Sequence, residues 1–157
     1  MAERRAAAEK RLDETDKAII RELQNDGRLP YAQLGPRVGL SQAATRQRVN
    51  RLIESGVMEI VAVTDPAMLG LQYLSMLGIT VDADAKEVAA TISEIGGAVY
   101  VVITAGRFDL LVEVVTNSAE AFLDMVNDDI RPIPGVRTIE IFSYVQLVKQ
   151  TYNWGTG

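Results

Sequence analysis

Cysteine and histidine are both absent from this chain of 157 residues. Without cysteine, the chain forms no disulfides and offers no thiolate nucleophile or thiolate metal ligand. Without histidine, it also lacks the commonest general base and the commonest transition-metal ligand in proteins. The sequence has no Walker loop, dinucleotide fingerprint or nucleophile elbow. We therefore predict a protein that is not an enzyme and that holds no metal ion and no cofactor.

Long apolar runs are missing as well. The longest, AVYVVI at residues 98–103, is far shorter than the roughly 20 residues that a helix needs to cross a bilayer. The charged N-terminal stretch has no apolar segment of about 7–15 residues, so it does not resemble a secretory signal. From these features we expect a cytoplasmic protein with no membrane partner.

Charge is present, but it is divided unevenly along the chain, whose net charge is -5. Residues 1–56 hold 11 Lys and Arg against 8 Asp and Glu, a balance of +3. Residues 57–157 hold 5 against 13, a balance of -8. Such an asymmetry indicates two different tasks, with the basic half facing an anionic partner.

The basic half has the pattern of three short helices. Apolar spacing predicts helices over residues 12–24, 31–38 and 42–54. Gly39 provides the turn before the third helix, and Ser41 is a good N-cap for it. Two helices joined by a glycine-containing turn, the second of them polar, are typical of a helix-turn-helix. The inward residues of the third helix are expected to be Thr45, Val49, Leu52 and Ile53, flanked by Ala44.

The outward face of this third helix suits double-stranded DNA. The side chains expected to face base edges are Gln42, Ala43, Arg46, Gln47 and Asn50. Arginine can donate a bidentate pair of hydrogen bonds to guanine, and glutamine or asparagine can pair with adenine. Phosphate contacts are expected from Arg28, Ser41 and Arg51. The alternative, from pattern alone, is a three-helix bundle whose basic helix is only a solvated surface.

The acidic half changes to a mixed pattern of strands and helices. Strands are predicted over residues 71–81, 99–105, 110–115 and 136–148, and helices over 85–95 and 119–130. The resulting order, β-α-β-β-α-β, is the ferredoxin-like arrangement. A dimeric ferredoxin-like enzyme, such as a monooxygenase or isomerase, is an alternative function for this half. The basic helix-turn-helix would then be unexplained.

The predicted fold is therefore α+β, with three segments along the chain. An N-terminal arm and the helix-turn-helix DNA-binding domain occupy residues 1–56. Residues 57–70 are expected to form a linker strand and hinge. A ferredoxin-like regulatory and oligomerisation domain with a C-terminal tail occupies residues 71–157. In that tail, Tyr152 and Trp154 are expected to pack against a partner subunit.

Short motifs in both halves occur in an order found in one family of regulators. They are Leu12-Asp13, Asp16, Asp26-Gly27-Arg28, Leu34, Gly39-Leu40-Ser41, Arg48-Val49, Leu52, Gly56-Val57, Asp65-Pro66, Leu69-Gly70, Gly106 with Asp109, and Pro134-Gly135-Val136. In combination they resemble the Lrp/AsnC family of feast/famine transcription regulators, over about residues 12–150. No single motif is specific, but the combination is.

The resemblance implies a winged helix-turn-helix tethered to a ferredoxin-like domain that pairs with another copy and often assembles into octamers. In the family pattern the helix over residues 42–54 reads DNA, whereas Arg48 matches a position that more often braces the domain. The family also binds small effectors, typically amino acids, between dimers near the loop over residues 106–109. The implied protein is a sequence-specific, nucleoid-associated transcriptional regulator.

The residues expected to bind an effector are Ala105, Gly106, Arg107, Asp109, Ile139 and Ile141. Amino-acid-responsive members place hydroxyl residues where Ile139 and Ile141 stand here. A zwitterion would leave polar groups unpaired against these aliphatic side chains, at about 1–3 kcal/mol each. The effector is then apolar, binds elsewhere or does not exist, and without one the protein would be an architectural DNA-binding multimer. Arg107 is a candidate for binding a carboxylate, and Asp109 for binding either an ammonium group or a structural arginine.

Overall fold

Residues 12–150 are described by a computed structural model of the chain, and they divide into two units. Among the described residues, the first unit comprises 12–63 together with 149–150, and the second spans Thr64–Val148. The expected arm over residues 1–11, and Tyr152 and Trp154 of the tail, lie outside the described residues. Each unit has a hydrophobic core of its own.

The first unit consists of three helices, as predicted. They are α1 over Glu14–Asn25, α2 over Tyr31–Arg37 and α3 over Gln42–Glu54. Asp13 begins α1 in a capping box, in which its carboxylate accepts a hydrogen bond from the Asp16 amide at 2.8 Å. Ser41 begins α3, and its hydroxyl accepts a hydrogen bond from the Ala44 amide at 3.2 Å. Among the described residues α3 is the longest helix, with 13 residues, and none is long and apolar enough to cross a bilayer.

Close packing between α2 and α3 fixes the helix-turn-helix. The buried core residues are Ile19, Leu23, Leu29, Leu34, Val49 and Leu52. Gly35 approaches the turn so closely that an added Cβ would lie 2.7 Å from the Leu40 carbonyl oxygen. Gly39 has a φ of 70°, a left-handed conformation that favours glycine. The expectation that Ile53 faces the core is wrong, because it lies about 100° around the helix from buried Leu52, and its side chain is 40% exposed.

The second unit is a four-stranded antiparallel sheet with helices on one face. Its strands are β1 (Tyr73–Val81), β2 (Ala98–Ile103), β3 (Leu110–Thr116) and β4 (Val136–Ser143). They lie in the order β2-β3-β1-β4. Helix α4 (Ala85–Ser93) joins β1 to β2, and α5 (Ala119–Asp124), continued by a π-helical turn (Met125–Ile130), joins β3 to β4. The predicted ferredoxin-like order is confirmed.

The two faces of this sheet have different environments. The helix-covered face supplies the core, with Leu77 and Ile79 of β1 and Val112 of β3 packed against Ile92 and Val126 of the helices. Because side chains alternate along a strand, the intervening residues lie on the other side. We call this side the open face, and it includes Met76, Gly78, Glu113, Glu140 and Phe142.

Two predicted strands differ from the structure, because a strand forms only where an adjacent strand can pair with its backbone. Residues 57–65 form no strand, and only a short 3-10 helix, Pro66–Leu69, follows them. Among the described residues no strand pairs with this segment, so its backbone has no ladder to join. The last strand ends at Ser143 instead of residue 148, because its partner β1 begins at Tyr73 and Ser143 already lies opposite Ser75.

Candidate nucleic-acid interface and effector loop

The outward face of α3 carries the side chains expected to face base edges. Gln42, Ala43, Arg46, Gln47 and Asn50 are all exposed, and together with Ser41 they line one shallow depression. Within residues 12–150, the side chains of Gln42, Arg46, Gln47 and Asn50 make no hydrogen bond or ion pair. Their donors and acceptors are therefore available to an external partner. We call this surface the reading face.

The other two arginines of α3 are bound to carboxylates of the first unit. Asp16 is fully buried, and Arg51 donates to both of its oxygens at 2.7 Å. Arg48 donates to Asp16 at 2.9 Å and to Asp13 at 2.6 Å. Arg51 was expected to contact a phosphate, but its guanidinium is held by this carboxylate, although its side chain is 57% exposed.

The Arg48–Asp13 contact changes the protonation equilibrium of both groups. The hydrogen bond from Arg48, followed by the one from the Asp16 amide, lowers the pKa of the Asp13 carboxyl below its ordinary value of 3.8. The hydrogen bonds to Asp13 and Asp16 raise the pKa of Arg48 in turn. Each partner therefore favours the charged form of the other. The resemblance implies a bracing role for Arg48, and Asp13 and Asp16 are the carboxylates that it contacts.

The remaining expected phosphate contacts, Ser41 and Arg28, are both exposed. Ser41 caps α3, so the first amide groups of the helix point outward beside its hydroxyl. Arg28 is exposed in the turn after α1, where its backbone amide donates to the Asp26 carboxylate at 2.9 Å. Arg37 is paired on the surface with Glu22 at 2.8 Å.

In the second unit, Asp109 fastens the loop between β2 and β3 to the sheet. Its carboxylate accepts a hydrogen bond from the Val81 amide at 2.8 Å, at the register shift between β1 and β4. Its own amide donates to the Ile79 carbonyl, and its carbonyl accepts from the Thr104 amide, both at 2.9 Å. The structure thus places Asp109 against backbone, a partner that differs from both the ammonium group and the arginine considered from the sequence.

The same loop places an aromatic ring over the sheet. Phe108 covers Gly78 on the open face, where an added Cβ would lie only 2.7–2.8 Å from three ring carbons. The ring meets Phe142 edge-on, with centroids 6.0 Å apart and an interplanar angle of 76°. Arg107 lies over the Phe108 ring at 5.3 Å and donates to Glu140 at 2.8 Å. Phe108, Glu140 and Phe142 are not among the residues expected from the sequence. The available signal was a glycine inside a predicted strand, which often marks the close approach of another group.

The expected effector residues are not all brought together. Ala105, Gly106 and Arg107 are exposed in the loop, and Arg107 reaches toward the open face through Glu140. Ile139 and Ile141 lie opposite Ile79 and Leu77, so they point to the helix-covered face. Ile139 packs against the core, and Ile141 is 42% exposed. The two isoleucines and the Arg107–Glu140 pair are on opposite sides of the sheet.

Comparison with protein-family models matches both units. Residues 12–53 match an AsnC-type helix-turn-helix domain. Residues 75–157, just over half of the chain, match a C-terminal dimeric alpha+beta barrel domain of AsnC-type regulators. The two matches follow each other in the order of the two structural units.

Individual relatives agree with the family models along most of their length. The chain is 34% identical over 145 residues to the HTH-type transcriptional regulator FL11 of Pyrococcus horikoshii, covering 89% of this chain and 93% of the relative. A transcriptional regulator of Neisseria meningitidis, solved as a complex with L-Met, superposes with a TM-score of 0.80 at 25% identity, covering 92% of this chain and 96% of that one. The leucine response regulatory protein of Mycobacterium tuberculosis gives a TM-score of 0.82 at 27% identity, covering 91% and 99%. Both domains match models of this family, and α3 of the helix-turn-helix exposes polar side chains without partners among the described residues. This chain therefore belongs to the Lrp/AsnC family of DNA-binding transcriptional regulators.

Proposed function

We propose that the protein regulates transcription by inserting α3 into the major groove, so that the reading face contacts base edges. The observation that carries this proposal is the reading face itself. Arg46 and three amide side chains are exposed, no acidic residue occurs on α3 before Glu54, and none of these side chains has a partner within residues 12–150. Arg28 and Ser41 supply phosphate contacts, which set the position of the helix on the duplex. In this role the protein acts as a regulator and not as an enzyme.

The regulator acts as a homodimer on a roughly palindromic operator. The matched C-terminal family model is that of a dimeric domain, and the open face exposes Phe142 for contact with a second copy. Symmetric pairing separates the two half-sites by about one helical turn, 10–10.5 base pairs, or a multiple of it. Higher assembly, up to octamers, and a location on the nucleoid in the cytoplasm belong to the same proposal.

Selection of bound fragments from genomic DNA tests this function. A recovered set of sites with two related half-sites at that spacing is the expected result. Arg46→Ala should lose most of the selected binding, whereas Arg37→Ala, which removes an arginine from a surface pair with Glu22, should retain it. Recovery of fragments without any common sequence by the parent chain would contradict the proposal.

The second part of the proposed function is control by a small effector, of which an amino acid is the leading class. The Neisseria relative was solved with L-Met, and the loop over residues 104–109 here exposes Arg107, a guanidinium suited to a carboxylate. Binding at this loop requires the carboxylate to displace Glu140 from Arg107. An effector-independent architectural protein remains the alternative, because Ile139 and Ile141 offer no hydroxyl group.

A thermal-shift screen separates the two alternatives. An effector present at 100 times its dissociation constant stabilises the folded protein by about 2.7 kcal/mol. The shift should disappear in Arg107→Ala and persist in Arg137→Ala, whose arginine belongs to a separate exposed pair with Asp82 at 3.6 Å. Silence of the parent chain across amino acids and aromatic acids would favour the architectural alternative.

A further inference from the structure

The three arginines of α3 are used in two different ways. Arg48 and Arg51 are bound to the buried Asp16 carboxylate, and Arg48 also to Asp13. The side chain of Arg46 makes no ion pair or hydrogen bond with any other residue in the range 12–150. On α3, the structure therefore leaves one guanidinium with all five of its N–H donors available.

The neighbours of Arg46 on the helix surface are uncharged. At helical spacings of three and four residues it adjoins Gln42, Ala43 and Asn50, while Gln47 follows it directly. The closest acidic residue toward the C-terminus of the helix is Glu54, two turns away. No carboxylate on this surface competes with a base for the guanidinium, and the Ala43 methyl group leaves space for the groove floor.

The length of the reading face sets how many base pairs it covers. From Gln42 to Asn50 the helix rises about 12 Å, at about 1.5 Å per residue. Base pairs are stacked about 3.4 Å apart, so this rise spans three to four of them, about the reach of one recognition helix. Arg46 is at the middle of that span, whereas Ser41 lies at its N-terminal end, where a phosphate is approached.

Arginine and the amides prefer different bases. The planar guanidinium donates two parallel hydrogen bonds to O6 and N7 of guanine, and a carboxamide pairs with N6 and N7 of adenine. A methyl group such as that of Ala43 fits against the thymine methyl. A central arginine between amides therefore matches a guanine with A·T pairs beside it.

We propose that Arg46 selects a single G·C pair at the middle of each half-site, and that Gln47 and Asn50 select adjacent A·T pairs, while Arg51 takes no part in base selection. This inference rests on the proposed function and adds the base preference to it. It differs from a phosphate role for Arg46, which would raise affinity for every sequence equally.

The test is selection of bound duplexes from a randomised library, followed by binding titrations on the best site and on single-base-pair variants. For the parent chain, replacing the central G·C pair should weaken binding about 5- to 150-fold, the range of one bidentate pair. Arg46→Ala should lose this discrimination at that one position and keep it elsewhere. Arg51→Ala and the surface control Arg37→Ala should keep the parent's base preferences.

Arg46→Gln provides a second test if Arg46→Ala binds too weakly to be titrated. A glutamine should shift the preference at the central pair from G·C to A·T, and circular dichroism should show unchanged folding. Retention of the G·C preference by either variant would overturn the inference. A second result would also overturn it: Arg46→Ala binds all sequences more weakly by the same factor, and the slope of log binding constant against log salt concentration is smaller by about 0.9. That result is expected for the loss of one phosphate contact. If the parent chain selects no sequence from the library, the proposed function itself is wrong. This outcome differs from those above, in which the parent selects a sequence and only the role of Arg46 is wrong.

Discussion

At the scale of single residues, Asp16 links α1 to α3. Its carboxylate is buried, yet it receives charged donors from Arg48 and Arg51 and so is not an isolated buried charge. The partners in these pairs are not evident from residue spacing, because they are 32 and 35 residues apart and meet only after α1 packs on α3. What the sequence did predict is the reading face, because exposure along one helix follows from spacing alone.

Asp16→Ala is expected to lower the free energy of unfolding by about 2–3 kcal/mol, the scale of charge-assisted hydrogen bonds to a buried group. The loss stays below that of a fully buried pair because Arg51 is largely exposed and regains water. Urea unfolding monitored by helical circular dichroism measures the change. The matched control is Glu22→Ala, which breaks the surface pair with Arg37 and should cost about 0–1 kcal/mol. Equal effects of the two substitutions would contradict a structural role for Asp16.

Asp13 makes the stability of the first unit depend on acid. Its folded-state pKa lies below the ordinary 3.8, so the carboxylate stabilises the fold above that pH, and this contribution is lost as the pH falls through the lower folded value. Asp13→Asn keeps an N-cap acceptor but cannot titrate. The urea midpoint of the parent should therefore fall more steeply than that of the variant below about pH 4. Parallel curves for the two proteins would show that Asp13 does not contribute.

At the scale of elements, the predictions were accurate for features that depend on adjacent residues in the sequence. They were wrong for strands whose existence or length depends on pairing with another strand. Caps such as Ser41 and turns such as Gly39 depend on a few adjacent residues, and the helices they bound are confirmed. The segment over residues 57–65 has the composition of a strand, but it pairs with no strand among the described residues. The end of β4 was misplaced because the length of β1 determines it.

Strand β1 and the loop before β3 are in close contact, because the Phe108 ring of the loop packs on Gly78 of the strand. In Gly78→Ala, the new methyl group would lie 2.7–2.8 Å from the Phe108 ring and would force it from the open face. We expect a cost of about 1–3 kcal/mol, as for other overpacked sites. In a Phe108→Ala background the same substitution should cost less, with a coupling energy of about 0.5–3 kcal/mol from the double-mutant cycle.

Gly96→Ala is the control for the effect of a methyl group on a glycine. Apart from Gly96 itself and its two chain neighbours, no heavy atom lies within 4 Å of the added Cβ, so a change within about 0.5 kcal/mol is expected. Additive costs for Gly78→Ala and Phe108→Ala would mean that the ring does not depend on the glycine.

At the scale of the whole molecule, the fold and the family were predictable because motifs from both halves agree. The relative positions of the residues expected to bind an effector were not predictable. Ile139 and Arg107 lie on opposite faces of the sheet, and the register of β4 determines which face each residue of that strand occupies. Only the alternation of side chains along a paired strand places Glu140, and not Ile139 or Ile141, beside the loop.

Self-association is expected to depend on the open face. Phe142 is 43% exposed there, and Phe142→Arg would place a charge in any interface that covers it. Sedimentation velocity should show a dimer dissociation constant at least about 100-fold weaker, as for loss of an aromatic anchor. The control Asn127→Arg adds the same charge to the exposed side of the π-helical turn and should leave the dimer intact. A dimer that withstands Phe142→Arg would place the interface elsewhere.

The capture of Arg48 and Arg51 by Asp16 also affects how the protein is distributed over a chromosome. Two of the three α3 cations are paired with Asp13 and Asp16, so this helix is expected to release few counterions when a copy meets an arbitrary stretch of duplex. Its residence on such stretches is then brief, and the enormous excess of irrelevant genomic sites sequesters only a small share of the copies. A modest cellular supply of this regulator can accordingly keep its operators occupied.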